Sequence, residues 1–281
     1  MTAYHRPHSL AEALAIRATH DVAVIAGGTD IYPAKAARRA WGEPTHKDVL
    51  DITAIAGLDR IEETASGWRI GCLVTWSALR RAVLPPLFDG LKAAAKEVGG
   101  PQVQNRGTVV GNLCTASPAG DGIPNLMALD ACVELAGPEG RRVVPLRDFL
   151  VGYRATALGA AEIVLALHVP HLAGAQARFE KLGARRYLVI SIAMAAAVVA
   201  TDGTGRIAVA RIAVGACSAV AQRLPVLEAA LAGVALRDAA AVPQASHLAA
   251  LTPIDDVRGS ASYRRDAALT LLRDLLRGFA A

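Results

Sequence analysis

Two short stretches of this 281-residue chain combine residue types that could hold an anion. In the first, the apolar run Val22-Ala23-Val24-Ile25-Ala26 stops abruptly at Gly27-Gly28-Thr29-Asp30. Two adjacent glycines remove both Cβ atoms, so the backbone can turn tightly and bring its N–H groups up to a charged oxygen. Thr29 adds a hydroxyl donor, and the combination suits a pyrophosphate. An ordinary turn after a buried strand has the same pattern. The stretch matches neither the G-x-G-x-x-G fingerprint nor the P-loop, so a Rossmann NAD site is not supported.

The second stretch runs from Thr108 to Asp121, Thr-Val-Val-Gly-Asn-Leu-Cys-Thr-Ala-Ser-Pro-Ala-Gly-Asp. Gly111 permits close backbone approach. Thr108, Asn112, Thr115 and Ser117 can donate to phosphate oxygens or polar ring edges, and an ionised Asp121 can accept from ribose or ribityl hydroxyls. The alternative is a long capped turn whose polar groups bond one another. None of the histidines falls in either stretch, and His168 on a strand reads as satisfied core rather than catalyst. Cys72, Cys114, Cys132 and Cys217 are widely separated, with no C-x-x-C pair. That argues against a zinc or iron–sulfur site held by this chain alone and favours small buried hydrophobes.

Something must position these stretches. Ser9-Leu10-Ala11-Glu12 has the form of a capping box and opens a helix to about Ala18, with Leu10, Ala13, Leu14 and Ala18 on one face. Residues 22–26 then read as a buried strand. Trp68–Gly71 reads as a strand, Thr75 as a helix start and Leu87–Val98 as a helix. Gly99–Pro124 reads as a long polar loop, a length that a compact domain tolerates only when the loop has a task. Ala131–Ala136 and Glu162–Val169 follow as strands. Ile190–Ala200 and Arg206–Gly215 read as strands joined by a tight turn at Asp202-Gly203-Thr204-Gly205. Tyr263–Phe279 has the spacing of a packed amphipathic helix.

Composition narrows the classes. Hydrophobic residues are 53% and charged residues 20% of the chain, enough for a sizeable core. The most apolar stretch, Tyr187–Ala200, is shorter than the roughly 20 residues of a membrane-spanning helix. No secretory signal is evident at the start, so a cytoplasmic location is expected. The net charge of +5 is spread over pairs such as Arg38-Arg39, Arg141-Arg142, Arg185-Arg186 and Arg264-Arg265. Without interleaved aromatics these make no nucleic-acid signature and read as solvated surface. A docking face for an acidic partner subunit is the sharper alternative.

Taken together, the stretches resemble the FAD-binding medium subunits of molybdenum hydroxylases, the xanthine and carbon monoxide dehydrogenase family. Ala26–Asp30 resembles the family's A-G-G-T-D element, and Thr108–Asp121 its T-x-G-G-N-x-x-x-A-S-P-x-x-D element. Ile70-Gly71-Cys72-Leu73-Val74-Thr75 is similar to its I-G-A-x-x-T segment. Phe179-Glu180-Lys181 with Arg185-Arg186 is similar to F-x-K-x-x-x-R-R. Two positions depart from the pattern: Val110 stands for the first glycine of G-G-N, and Val189 for an acidic residue before Ile190.

The resemblance implies an α+β chain: a two-part FAD-binding domain of the PCMH type over 1–172, its subdomains about 1–55 and 56–172, then a smaller α+β C-terminal domain over 173–281. It implies that Val24, Ile25, Ala26, Gly27, Gly28, Thr29 and Asp30 wrap the pyrophosphate. Thr108, Gly111, Asn112, Thr115 and Ser117 would meet the phosphates and ribityl chain, and Asp121 the sugar hydroxyls. Val98, Val164 and Lys181 would lie against the flavin or adenine portion. It implies a large molybdopterin-binding subunit and a small [2Fe–2S] subunit as partners, with NAD⁺ or another acceptor, and no metal on this chain. The rival readings are a stand-alone FAD-linked oxidoreductase with its own substrate, and an assembly subunit without cofactor.

Overall fold

The computed structural model describes residues 3–40 and 47–280; the side chains of Arg38 and Arg39, one of the basic pairs, lie outside the described residues. Its first sheet has three parallel strands, Tyr4–His5, Asp48–Asp51 and Val22–Ile25 in that spatial order. The helix Leu10–Thr19 carries the chain from the first strand to Val22. Ser9 caps it by accepting from the Glu12 N–H at 3.2 Å, while the Glu12 carboxylate reaches one residue further back, to the His8 N–H at 3.0 Å. Of the face expected to pack, Ala13 is buried and Leu10 and Leu14 partly so, whereas Ala18 is exposed.

A five-stranded antiparallel sheet follows, ordered Ile61–Thr64, Gly67–Gly71, Ile163–Pro170, Cys132–Gly137 and Gly140–Pro145. Its central strand slips register between Val164 and Ala166. Such bulges re-aim side chains, and Val164 lies on the wall of the cleft described below. The polar face of this sheet carries a charge network: Glu134 accepts from Arg69 and from the His168 ring at 3.0 Å each, and from Arg141 at 3.1 Å. His168 is therefore hydrogen-bonded as expected, but on a partly exposed face rather than in the core.

The region from Gly99 to Pro124 corrects the expectation of a long loop. It contains the helices Pro101–Gln104 and Val109–Thr115 and the start of Gly122–Ala128. Its Gly, Asn and Thr residues are weak helix formers; packing supplies what propensity does not. Val109, Val110 and Leu113 are buried.

Past Pro170 the chain enters a four-stranded antiparallel sheet, Gln176–Leu182, Ala193–Thr201, Ile207–Gly215 and Gln222–Arg223. The strand Ala193–Thr201 is buried on both faces: Met194, Ala196 and Val198 join the core of the N-terminal part, while Ala193, Ala195, Ala197 and Val199 join a second core. A double-sided strand reads as a continuous apolar run, and alanine lets helices approach both faces. The helix Ala261–Arg277 covers the second core with Ala268, Leu272, Leu275 and Leu276. Arg264, expected at the surface, is instead buried there and donates to the carbonyls of Ile192 and Ala216 and to Asp256. The mixed α+β organisation expected from the sequence is present. Among the described residues no helix is long and apolar enough to cross a membrane.

Candidate functional site

The glycine turn and the polar segment, nearly eighty residues apart in sequence, meet. Thr115 donates to the Asp30 carboxylate at 2.9 Å across the space between them. Between these segments lies a cleft of about 760 Å³, within the roughly 300–1,000 Å³ usual for ligand sites. Val24, Ala26, Gly27, Gly28, Thr29 and Asp30 form one wall; Thr108, Gly111, Asn112, Thr115 and Ser117 form the other. Val98, at the end of the helix Asp89–Glu97, and Val164, beside the bulge, add apolar surface.

The glycines are required by this geometry. A Cβ on Gly27 would stand 2.1 Å from the Arg106 carbonyl oxygen, so the turn packs backbone to backbone against the segment leading to Thr108. Gly28 has φ +71°, a conformation that side chains disfavour. The helix Ile31–Ala40 starts directly after the turn. Among the described residues the N–H groups of Gly27, Gly28 and Thr29 meet no protein acceptor, and with the helix N-terminus they make a positive concavity.

On the opposite wall the hydroxyls have local duties. The Thr108 hydroxyl oxygen caps its helix by accepting from the Gly111 N–H at 2.9 Å. Thr115 bridges Asp30 and the Gly111 carbonyl, and the Ser117 oxygen accepts from the Ala119 N–H at 3.3 Å. Asn112 differs. Its Oδ1 is buried near Gly120 and Gly122 and has no partner among the described residues. A buried polar atom without a partner is costly; that oxygen is enclosed by protein, while Asn112 itself lines the cleft and its amide makes no side-chain hydrogen bond among the described residues. Val110, in place of a glycine, is buried in the core and also touches the cleft.

Three of the expected residues do not line the cleft. Ile25 is buried and does not line the cleft. Asp121 and Lys181 form a buried ion pair at 2.7 Å, both side chains 8% exposed. Ser191 donates to the other Asp121 oxygen at 2.6 Å, and Lys181 also donates to the Val189 carbonyl at 3.2 Å. Burial pushes the Asp121 carboxyl above its ordinary range, against the opposing pull of Lys181 and Ser191. These groups satisfy one another between the two parts of the chain. Val189 thus contributes its carbonyl where the sequence pattern leads one to look for a carboxylate.

Other lining residues escaped the sequence reading. Gly107 approaches the Thr29 hydroxyl, and Trp76 and Cys72 help to close the floor. Cys114 is not a buried hydrophobe but is open to the cleft, in contrast to Cys72 and Cys217. Arg154 reaches the cleft from the hairpin of Leu150–Gly152 and Ala155–Thr156, where no motif signalled it. Among the described residues no cluster of His, Cys, Asp or Glu could hold a metal ion. Chemically, the site offers amide donors for a diphosphate, the Asn112 side chain for a hydroxyl, and apolar patches at Val98 and Val164 for ring surface. These features fit FAD.

Comparison with known proteins agrees. The family described as "FAD binding domain in molybdopterin dehydrogenase" matches residues 1–172, and "CO dehydrogenase flavoprotein C-terminal domain" matches residues 178–279. The nicotine 6-hydroxylase medium subunit of Paenarthrobacter nicotinovorans is 32% identical, over 96% of this chain and 94% of that one. The carbon monoxide dehydrogenase medium chain of Afipia carboxidovorans is 34% identical, over 96% and 93%. A solved carbon monoxide dehydrogenase from Hydrogenophaga pseudoflava superposes with a TM-score of 0.86 at 31% identity, covering 98% of this chain and 96% of that one. With a cleft suited to the cofactor and relatives matched over nearly their whole length, the chain belongs to the FAD-binding medium subunits of the molybdopterin dehydrogenase family.

Proposed function

We propose that this chain is the electron-transfer subunit of a heteromeric molybdenum hydroxylase, taking electrons from the [2Fe–2S] clusters of a small partner subunit and delivering them to NAD⁺ or another acceptor. Substrate hydroxylation would belong to a large molybdopterin-binding partner. The medium-chain relatives support that division of labour. FAD suits the post because a flavin can hold one added electron or two, with the protein supplying binding, orientation and tuning.

The carrying observation is the convergence of the glycine turn with the helix Val109–Thr115 through the Thr115–Asp30 hydrogen bond. In this reading the amides of Gly27, Gly28 and Thr29 hold the diphosphate, and Asn112 takes a hydroxyl of the sugar or ribityl chain. Val98 and Val164 exclude water from a ring face. Asp121 and Lys181 act indirectly, by fixing the C-terminal sheet against the helix after Asp121.

The test is purification of the full chain with whatever partners accompany it. One FAD per chain, a molybdopterin subunit and a small iron–sulfur subunit are expected, and flavin reduced through the complex should be reoxidised by NAD⁺ or another soluble acceptor. Gly28→Asp sets a carboxylate against the diphosphate and strains a left-handed position, so it should empty the site of flavin. Full FAD occupancy in that variant would refute the assignment of the turn.

A further inference from the structure

The cleft wall contains one residue that neither motif includes and whose charge fits what the cleft must hold. Three charged side chains line the cleft among the described residues: Asp30, Glu162 and Arg154. The two carboxylates are already engaged. Asp30 accepts from Thr115, and Glu162 takes a two-pronged bond from Arg142 at 2.6 and 2.7 Å. Arg154 is exposed and makes no ion pair among the described residues.

Its backbone is fixed with unusual care. Arg154 has φ +50°, and its N–H donates to the carbonyl of Ala116, itself at φ +46°. Two residues on, the Pro118 carbonyl accepts from the N–H of Ala216, at φ +60°. Among the described residues, three of the five non-glycine residues with left-handed backbone therefore meet around the segment Ala116–Pro118, from three separate parts of the chain. Left-handed backbone is costly for a residue with a Cβ, and such positions gather where geometry serves a site. Here the effect is to tie the tip of a short hairpin to the Ala116 carbonyl, so that Arg154 is held at the cleft rather than left on a free loop.

We infer that Arg154 is a cofactor-binding residue, its guanidinium holding the diphosphate of FAD opposite the amides of the glycine turn. The inference rests on the FAD reading above and adds a contact that the motifs do not contain. A diphosphate carries the only formal charges on FAD, and the positive charge offered by the glycine wall is only the partial charge of its amides, beside the Asp30 carboxylate. A planar guanidinium supplies paired N–H donors and a full positive charge, the preferred partner of phosphate oxygens.

The experiment measures dissociation constants on the full chain, isolated with any native partners and stripped of flavin. Fluorescence titration with FAD and with riboflavin, which lacks both phosphates, is run at several salt concentrations. Arg154→Ala, which keeps a side chain already tolerated at the left-handed Ala116, should weaken FAD binding about ten- to a hundredfold, the range of a lost charge-assisted hydrogen bond. Riboflavin binding should be unchanged, and the salt dependence of FAD binding should flatten. Arg154→Lys should recover part of the affinity and the salt dependence, with the unfolding temperature of the flavin-free protein as control for folding. Equal FAD affinity in wild type and Arg154→Ala overturns the inference, as does an equal loss for FAD and riboflavin. A wild-type chain that binds no FAD would instead sink the functional reading beneath it.

Discussion

The helix Val109–Thr115 and the helix Gly122–Ala128 are neighbours in sequence, and polar groups at both resemble the flavin contacts of the family. They are finished in opposite ways. Around the first helix the cleft keeps backbone amides without acceptors and an Asn112 side chain without a hydrogen bond among the described residues. At the start of the second, Asp121 is enclosed with Lys181 and Ser191, every charge answered within the protein. Residue type alone does not separate a ligand contact from a structural tie; completion of the hydrogen-bond set does. Donors left open on a cleft wall can take a ligand, whereas a closed set holds the chain together.

That contrast can be broken or sharpened by substitution. The largest effect is expected from Lys181→Met, which strands a buried carboxylate. Loss of one partner of a buried pair costs about 3–5 kcal/mol, measurable by denaturant unfolding at neutral pH. With the ammonium gone, the Asp121 pKa rises further. A raised folded-state value means that the stability is retained in acid and lost as pH rises through it, so the defect should be smallest at low pH. Asp121→Leu added to Lys181→Met should recover most of the loss while leaving flavin occupancy intact. A folded double variant without flavin would move this cluster to the cofactor and erase the distinction.

Asn112→Ala should show the reverse pattern. Flavin affinity falls about tenfold, the weight of one hydrogen bond of roughly 1.4 kcal/mol, while the flavin-free protein keeps its stability. A loss of stability with unchanged affinity would make Asn112 a structural residue.

The smallest effect concerns Glu162, whose main chain and side chain brace the cleft wall. The Arg142 hydrogen bond, aided by the Gly159 N–H, holds its carboxyl below the ordinary range despite partial burial. A depressed folded-state value gives stability that is present above the unfolded pKa and lost as pH falls through the folded one. A partly exposed pair is worth about 0.5–1 kcal/mol. Glu162→Gln should therefore flatten the acid limb of the stability curve slightly and leave the neutral-pH cleft unchanged.

The first wall of the site was legible because an apolar strand ended at paired glycines, a local signal that survives without tertiary information. The second wall was legible as chemistry but not as structure. Val110, Gly111, Asn112 and Thr115 do not favour a helix, and only the Thr108 cap and the burial of Val109, Val110 and Leu113 make one. The fate of Asp121 depended on which strand would lie over it, and Lys181 is sixty residues away. Arg154 was silent because its hairpin has two-residue pairing and its role arises from a carbonyl, that of Ala116, whose position only the fold defines. In the C-terminal part, Ala193–Thr201 announced itself as a strand, but that both of its faces are buried is a property of what packs there.

That alanine-rich strand has a consequence for cooperativity. Because Met194, Ala196 and Val198 complete one core while their neighbours complete the other, neither half of the chain can melt without exposing the partner's packing surface. The boundary after Pro170 is therefore one of topology and not of thermodynamics: severed there, the elements carrying Phe88, Leu91 and Leu126 would lose the strands that now pack on them.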